Sequence, residues 1–330
     1  MTQEQTFDVV GIGNALVDVV AHHDDAFVEQ HGMDKGRMML IDTHQAEEIY
    51  ASMGQSLEVS GGSVANSIAG VASFGGRAAF LGRVFDDELG RVFGHDLRAS
   101  GVHFDTKPAM DGPPTGRCLI VVTPDAQRTM NTYLGAASMF GPENVDARLV
   151  GRSKVTLLEG YLFDRPESKK AYRVAADIAH AAGRQVALTL SDLFCVERHR
   201  ADWLPLVRDR VDILFANEVE ACALWGCGDV ASAVDQARRE LSVGCITLGP
   251  KGSIVVAGDQ VHEVEAHPVD HVVDTTGAGD LYAAGFLFGY TNGRPLPECG
   301  RLGSIAAAAV LGHTGARPEV SLAQLLDVLW

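Results

Sequence analysis

Runs of consecutive apolar residues, too short for helices, alternate along the chain with stretches in which apolar positions return every three or four residues. Asp8–Gly13, Ala78–Val84, Val155–Tyr161, Gln185–Leu190, Val211–Ala216 and Val243–Leu248 are of the first kind. Unbroken apolarity over so short a run marks a strand covered on both faces, as in a parallel sheet. Helical spacing predicts helices over Ser63–Phe74, Asp86–Ser100, Pro166–Ala181, Glu218–Leu224, Val230–Leu241, Gly279–Tyr290, Leu296–Leu311 and Ser321–Leu329. Ser253–Ala257 and Gln260–Glu263 read as a hairpin around Gly258-Asp259. The alternation predicts an α/β fold, with a mostly parallel sheet between two layers of helices.

Two regions depart from that alternation. Ala15–Ala21 and Arg37–Ile41 read as strands around a short helix, and Arg117–Val122 with Arg128–Leu134 as a hairpin around Thr123-Pro124-Asp125. Neither pair carries the crossover helix that parallel neighbours need. A small sheet standing off the main body is therefore expected, a natural lid, built from approximately residues 15–41 and 112–134. No repeat or low-complexity segment interrupts the chain, so 1–330 reads as one unit.

Composition narrows the class of partner. The 330 residues are 46% hydrophobic and 21% charged, enough for one large α/β domain or two small ones. A net charge of −16 argues against a nucleic-acid or anionic-membrane surface. No run reaches the length needed to span a bilayer. Met1–Asp8 carries Glu4 and Asp8 and no basic segment ahead of an apolar run, so no signal peptide is expected. The six scattered cysteines lack CxxC pairing and fit the reduced thiols of a cytoplasmic protein.

Candidate chemistry concentrates at turns into helices. Asp274-Thr275-Thr276-Gly277-Ala278-Gly279-Asp280 leads directly into an apolar helical stretch. A helix N-terminus offers N–H donors and partial positive charge to anionic oxygen, and small residues let a phosphate come close. Asp280 is placed to accept the proton of a hydroxyl attacking that phosphate, with its carboxylate expected to stay ionised and weakly basic. Standing alone, the same residues would read as a capped glycine turn. Gly61-Gly62-Ser63-Val64-Ala65-Asn66 opens another helix. There Gly62 permits close approach, and Asn66 both donates and accepts, as vicinal sugar hydroxyls demand. An N-cap at Ser63 is the competing reading.

Gly11-Ile12-Gly13-Asn14-Ala15-Leu16-Val17-Asp18 looks like a dinucleotide fingerprint, but Leu16 replaces its third glycine and no helix follows. That excludes a Rossmann site and an NAD-linked dehydrogenase. Asp18 is left as an acceptor for polyol hydroxyls, or as an exposed strand acid. Asn217-Glu218-Val219-Glu220 lies at the carboxyl end of a strand, where open α/β folds bind ligands. Asn217 and Glu220 suit Mg²⁺ held through water, against the alternative of solvated helix acids. Thr247-Leu248-Gly249-Pro250-Lys251-Gly252 suits nucleotide phosphates, although Pro250 stands where a Walker A loop needs lysine; a hairpin turn is the alternative.

Taken in order, GGSVAN, NEVE, GPKG and DTTGAGD make the chain resemble the ribokinase-family (PfkB-type) carbohydrate kinases. Within that family it is most similar to the adenosine kinases. This likeness extends through GNALVD, Pro114–Cys118, Arg128–Ser138, Glu159–Asp164, Leu188–Phe194 and Val211–Ala221, covering essentially the whole chain.

The resemblance implies a three-layer α/β/α core with a β-sheet lid. It implies transfer of phosphate from ATP, with Mg²⁺, to the 5′-hydroxyl of adenosine, or alternatively to another nucleoside or a sugar. By the same likeness, Asp280 is the base, Gly277, Ala278 and Gly279 the anion hole, and Arg128 a cation near the transferred phosphate. Asp18, Gly62 and Asn66 would hold the ribose, with Ser63 and Asn14 nearby. Leu16, Met130, Leu134 and Phe163 would enclose the nucleobase. Asn217 and Glu220 would serve Mg²⁺–ATP, and Thr247, Gly249, Lys251, Gly252 and Thr275 the nucleotide. Asp274 and Thr276 fall near a monovalent-cation (K⁺) loop. Family members pair through the lid or stay single, so both monomer and homodimer are compatible. Arg37 and Met38 replace a polar contact to the base, and Val121 and Tyr133 also depart from the adenosine-kinase lid, which leaves the choice of substrate open.

Overall fold

The computed structural model describes residues 6–125 and 127–329. Strands β1 (Phe7–Ile12), β5 (Ala78–Leu81), β8 (Ser153–Glu159), β9 (Gln185–Thr189), β10 (Ile213–Asn217), β11 (Val243–Thr247), β12 (Ser253–Ala257) and β13 (Gln260–Val264) form one eight-stranded sheet. A five-stranded sheet collects β2 (Leu16–His22), β3 (Met38–Leu40), β4 (Leu57–Gly61), β6 (Gly116–Val122) and β7 (Arg128–Tyr133). Helices are α1 (Asp25–Gln30), α2 (Thr43–Ser52), α3 (Ser63–Ser73), α4 (Glu88–Ala99), α5 (Ala147–Gly151), α6 (Pro166–Ala181), α7 (Leu193–Arg210), α8 (Glu218–Trp225), α9 (Val230–Glu240), α10 (Ala278–Thr291) and α11 (Leu296–Leu311).

Why the core strands are apolar at every position is plain from their two faces. Val9, Leu157, Ala187, Phe215 and Cys245 pack with Ile68 of α3, Leu281 and Phe286 of α10 and Leu302 of α11. Their alternates Val10, Leu158, Leu188, Leu214 and Ile246 pack with Tyr172 of α6, Trp203 of α7, Leu224 of α8 and Val234 of α9. Both faces are dry, so neither needs polar alternation.

Strand order places the ligand cleft. The large sheet runs β13-β12-β11-β10-β9-β8-β1-β5, with β1 parallel to both β5 and β8. From β1 the chain builds one edge through β5, then returns to build the other from β8 onward. The order reverses between β1 and β8, and the crevice outside their carboxyl ends is where such sheets bind ligands.

The small sheet runs β3-β7-β6-β2-β4 and is mixed: β2 lies parallel to β6 and β3 to β7, while β6–β7 and β2–β4 are antiparallel. Four of its strands fall in the two expected segments. The fifth, β4, was not expected, because Leu57-Glu58-Val59-Ser60-Gly61 is a short edge run with Leu57 exposed. Period-two alternation sorts the sheet's faces. Val17, Val19, Leu119 and Val121 pack against Ile49 and Met53 at α2. Their alternates look into the cleft. Val121 and Tyr133, read as departures, are buried on the far side, where Tyr133 Oη and Thr43 Oγ1 are 3.1 Å apart.

Helical expectations change in several places: α2 and α5 were not expected, and two further differences lie later in the chain. Ser321–Leu329 is a 3₁₀ segment, Leu322–Leu329, in which residues three apart stack; Leu322 is buried against the core and Leu325 packs beside it. Helix α7 was not expected, since Pro205 lies inside it and charged residues crowd it. Asp192 caps its start, the chain kinks at His199, and Cys195, Val196, Trp203, Leu206 and Val207 carry its buried side.

Candidate active site

Between the small sheet and the carboxyl ends of the core strands lies a cavity of about 660 Å³. Leu16, Asp18, Met38, Leu40, Cys118, Ile120, Arg128, Met130, Thr132 and Leu134 line it from the small-sheet side. From the core side come Asn14 after β1, Glu159 at the end of β8, Thr189 at the end of β9, Asn217 at the end of β10 and Thr247 at the end of β11. The N-termini of α3 and α10 close the third side with Gly62, Ser63, Asn66, Gly277, Gly279 and Asp280.

Those two helix starts meet directly. Ser63 Oγ donates to Asp280 Oδ1 at 2.6 Å, and Asn66 Nδ2 to Asp280 Oδ2 at 3.2 Å. Gly277 holds φ +80 at the N-cap of α10, with Ala316 packed where a Cβ would stand. Ala278 N–H is used by Thr275 C=O at 3.2 Å, and Ala278 is absent from the cavity wall, so the cavity-facing part of the turn is Gly277 and Gly279. Gly62 is required twice over. Its φ is +102, and a Cβ there would sit 2.2 Å from the Asn14 carbonyl oxygen.

Burial sets the electrostatics. It pushes Asp280 up to about 6, against the opposing hydrogen bonds from Ser63 and Asn66. Asp280 is therefore more basic than its helix-start position predicted, because desolvation outweighs the dipole and the two donors. Burial also raises Asp18 to about 6, opposed by Arg317 and Arg128 and helped by the negative charge of Asp280. Glu159, which sequence reading did not single out, rises to about 7 for the same first reason. Its Oε1 accepts from Asn14 N (3.2 Å) and Nδ2 (2.6 Å), and its Oε2 from Val64 N at 3.0 Å. It thereby ties β1, β8 and the start of α3 together at the reversal of strand order. Asn14 Oδ1 is buried with no partner among the described residues.

Other expected residues fall less simply. Arg128 lines the cavity with one nitrogen engaged: its Nη1 donates to Asp274 Oδ2 and, at 3.0 Å, to Thr276 Oγ1. Asp274 Oδ1 accepts from Thr276 N and Oγ1, and Oδ2 also accepts from Gly315 N at 3.0 Å. Burial would raise the Asp274 carboxyl, but the Thr276 and Gly315 donors and the Arg128 charge hold it below the usual range. With four lone-pair directions already taken, one by a guanidinium, the Asp274 carboxylate has none left for a K⁺ ion. Phe163 is core: it stacks on Trp203 at 3.6 Å and is absent from the cavity wall. Gly160–Asp164 is a 3₁₀ turn, so Tyr161 and Asp164 share the face that lines the cavity while Phe163 points inward. Tyr161 and Phe194, ring centroids 6.0 Å apart, are the aromatic pair at that wall. Their signal was position, just past the ends of β8 and β9.

Asn217 and Glu220 form a reciprocal cap at the start of α8, with Asn217 Nδ2 donating to Glu220 Oε1 at 2.6 Å. Glu220 is buried rather than solvated, and burial raises it to about 7. Among the described residues no group of three acidic, Cys or His side chains could ligate a metal directly. One buried acid beside a cavity instead suits Mg²⁺ that keeps most of its water. Thr247, Thr275 and Thr276 line the cavity, whereas Gly249, Lys251 and Gly252 do not. Gly252, at φ +93, is explained by packing, since a Cβ would lie 2.0 Å from the Val264 carbonyl oxygen.

The pattern of the pfkB family carbohydrate kinases matches residues 37–322. The chain belongs to that family. It superposes on adenosine kinase from Sinorhizobium meliloti at 53% identity and TM-score 0.90, over 99% of this chain and 100% of the other. A probable sugar kinase protein from Rhizobium etli CFN 42 is 46% identical, with TM-score 0.90 over 99% of each chain. Guanosine-inosine kinase of Escherichia coli K12 is 27% identical over 275 residues, which span 79% of this chain and 63% of that relative. As a pfkB-family kinase, the protein is a phosphotransferase with a hydroxyl acceptor, of the nucleoside and sugar kinases, and the fold is the ribokinase-like one. None of the helices among the described residues is long and apolar enough to cross a membrane.

Proposed function

We propose that the protein phosphorylates the 5′-hydroxyl of a purine nucleoside, adenosine first, with ATP. The observation that carries this reading is the Asp280 carboxylate, held by Ser63 and Asn66 in the wall of a cavity that Asp18 also lines. The apolar wall of Leu16, Met38, Leu40, Ile120, Met130 and Leu134, together with the Tyr161 and Phe194 rings, supports a base in preference to a free sugar.

In this reading the ribose hydroxyls donate to Asp18, with Gly62 and Asn14 beside it, which fixes the sugar. Asp280 then takes the 5′-hydroxyl proton as the oxygen attacks the γ-phosphorus and the bond to the β-phosphate oxygen breaks. Gly277 and Gly279 amides face the oxygens of the moving group, where fixed donors cost no reorganisation. Mg²⁺, held near Asn217 and Glu220, would supply charge neutralisation on the ATP phosphates. The small sheet acts as a lid, latched by Arg128 to Asp274 and Thr276, and excludes water from the transfer.

Asp280→Asn is expected to lower kcat by roughly 10²–10⁴-fold while leaving nucleoside affinity within a few fold. The assay is product formation with Mg²⁺–ATP against adenosine, inosine, guanosine, ribose and fructose. A variant with undiminished turnover removes Asp280 from this role. Faster turnover of ribose or fructose than of any nucleoside removes the base-binding reading.

A further inference from the structure

The segment 312–317 follows α11 and comes back to the start of α10. Gly315 N–H donates to Asp274, and Ala316 covers Gly277 on the cavity wall. Arg317 is next, and neither the sequence motifs nor the family likeness drew attention to it. Its Nε–H donates to Asn66 Oδ1 at 3.3 Å. Its Nη1 donates to Asp96 Oδ2 at 3.4 Å and to Ser100 Oγ at 3.3 Å. The side chain is 21% exposed, and Nη2 is buried with no partner among the described residues. A half-buried guanidinium with one nitrogen left unpartnered is costly to place beside the site.

Chemistry fixes which end of Asn66 it can hold. Guanidinium has donors only, so it binds the amide oxygen and leaves the amide nitrogen to Asp280. Asn66 is thus tethered at both ends, by Arg317 at Oδ1 and by Asp280 at Nδ2. One tether would leave the amide free to turn about χ2. Asp96 extends the same lattice, because its Oδ2 accepts from Ser60 N (2.8 Å) and Ser60 Oγ (2.5 Å) on β4. Ser60 pairs with Val17, the neighbour of Asp18 on β2.

We propose that Arg317 is a positioning residue for phosphoryl transfer, which touches no substrate and acts by holding the Asn66 amide so that it in turn orients the Asp280 carboxylate. The proposal rests on the reading of Asp280 as base. Ser63 and Asn66 on α3 are the groups that lower this carboxylate's titration against its burial; its charge in turn raises Asp18 on β2 and Glu159 on β8, and Arg317 and Arg128 are the cations acting on Asp18.

The test uses Arg317→Met and Arg317→Lys, each in the wild-type and Asn66→Ala backgrounds. Arg317→Met is expected to lower kcat roughly 10-fold or more by misplacing the base, with KM for ATP unchanged. The acid limb of its rate profile should move to higher pH, because a donor to Asp280 is loosened and a cation near Asp18 is gone. Arg317→Lys keeps the charge but cannot reach Asn66, Asp96 and Ser100 together, so it should lower kcat with a smaller displacement of that limb. If Arg317→Met does not fold, the lysine variant carries the comparison. In the Asn66→Ala background either substitution should have no further effect on kcat. An equal further loss in that background, or wild-type kcat in both variants, overturns the proposal. Asp280→Asn run alongside separates the two levels: if it stays active, the base assignment fails; if it is inactive while the Arg317 and Asn66 effects multiply, only the positioning role fails.

Discussion

At pH 7.5 a carboxyl with a pKa of about 6 is mostly ionised, yet it holds a proton about a hundredfold more tightly than an ordinary aspartate. For Asp280 that difference is created by burial, and it acts on rate and on stability in opposite senses. The rate needs the ionised form, so kcat/KM is expected to fall about tenfold per unit as pH drops below roughly 6. A flat profile down to pH 5 would remove the raised carboxyl from the mechanism. Stability runs the other way. The folded pKa lies above the unfolded value of 3.8, so ionisation disfavours the fold. The cost is absent below about pH 4, grows through about pH 6 and is complete above it, at most about 3 kcal/mol. Asp280→Asn should accordingly melt above the wild type at pH 7.5, with the gap closing by pH 4.5; a constant gap would point to some other cause. At Gly62 both φ +102 and the Asn14 carbonyl resist any side chain. Gly62→Ala is expected to destabilise by about 1–3 kcal/mol and to raise KM for the nucleoside, measured by denaturant unfolding and initial rates.

Helix starts were the most legible elements, because caps and glycines announce them. Both α3 and α10 open within a residue of their expected starts, and Ser63, Asn66 and Asp280 meet there. Less legible was which side of a short element faces the cavity. Gly160–Asp164 was read only as carrying an aromatic near the pocket; its 3₁₀ winding turned Phe163 inward and Tyr161 outward, a phase that residue types alone leave undetermined. Strand β4 and helix α7 lacked a pattern strong enough to stand out, one by its brevity and the other by its proline and its kink. Arg317 was hidden for a different reason: its partners lie more than two hundred residues earlier. At this scale the contact of Arg128 on β7 with the loop before α10 makes its own prediction. Since a guanidinium already satisfies Asp274, turnover should be the same in potassium, sodium or choline chloride at equal ionic strength. Arg128→Met should lower kcat and increase ATP hydrolysis without acceptor, as the lid opens more often. Strong activation of the wild type by K⁺ would contradict this account of the loop.

The whole molecule was readable in its class and less so in its topology. Doubly apolar strands alternating with helices led to the covered parallel sheet, since each core strand must bury both faces. Nothing in the local pattern said that the first strand would lie inside the sheet, flanked by β5 and β8. That arrangement is set by packing among distant segments, and it creates the crevice in which Asn14 and Glu159 join.

The stitching of the Gly315–Arg317 loop to Asp274 and Asn66 has a consequence for synthesis on the ribosome. The first strand finds its β8 neighbour only after most of a hundred and fifty residues have emerged, and the seam at α3 is finished by a residue made 251 positions after Asn66. A growing chain can bury much of its sheet early and still lack a tethered Asn66. Asp280 emerges before Arg317 does, so of the two side chains that hold the Asn66 amide the one at its oxygen is the later to arrive.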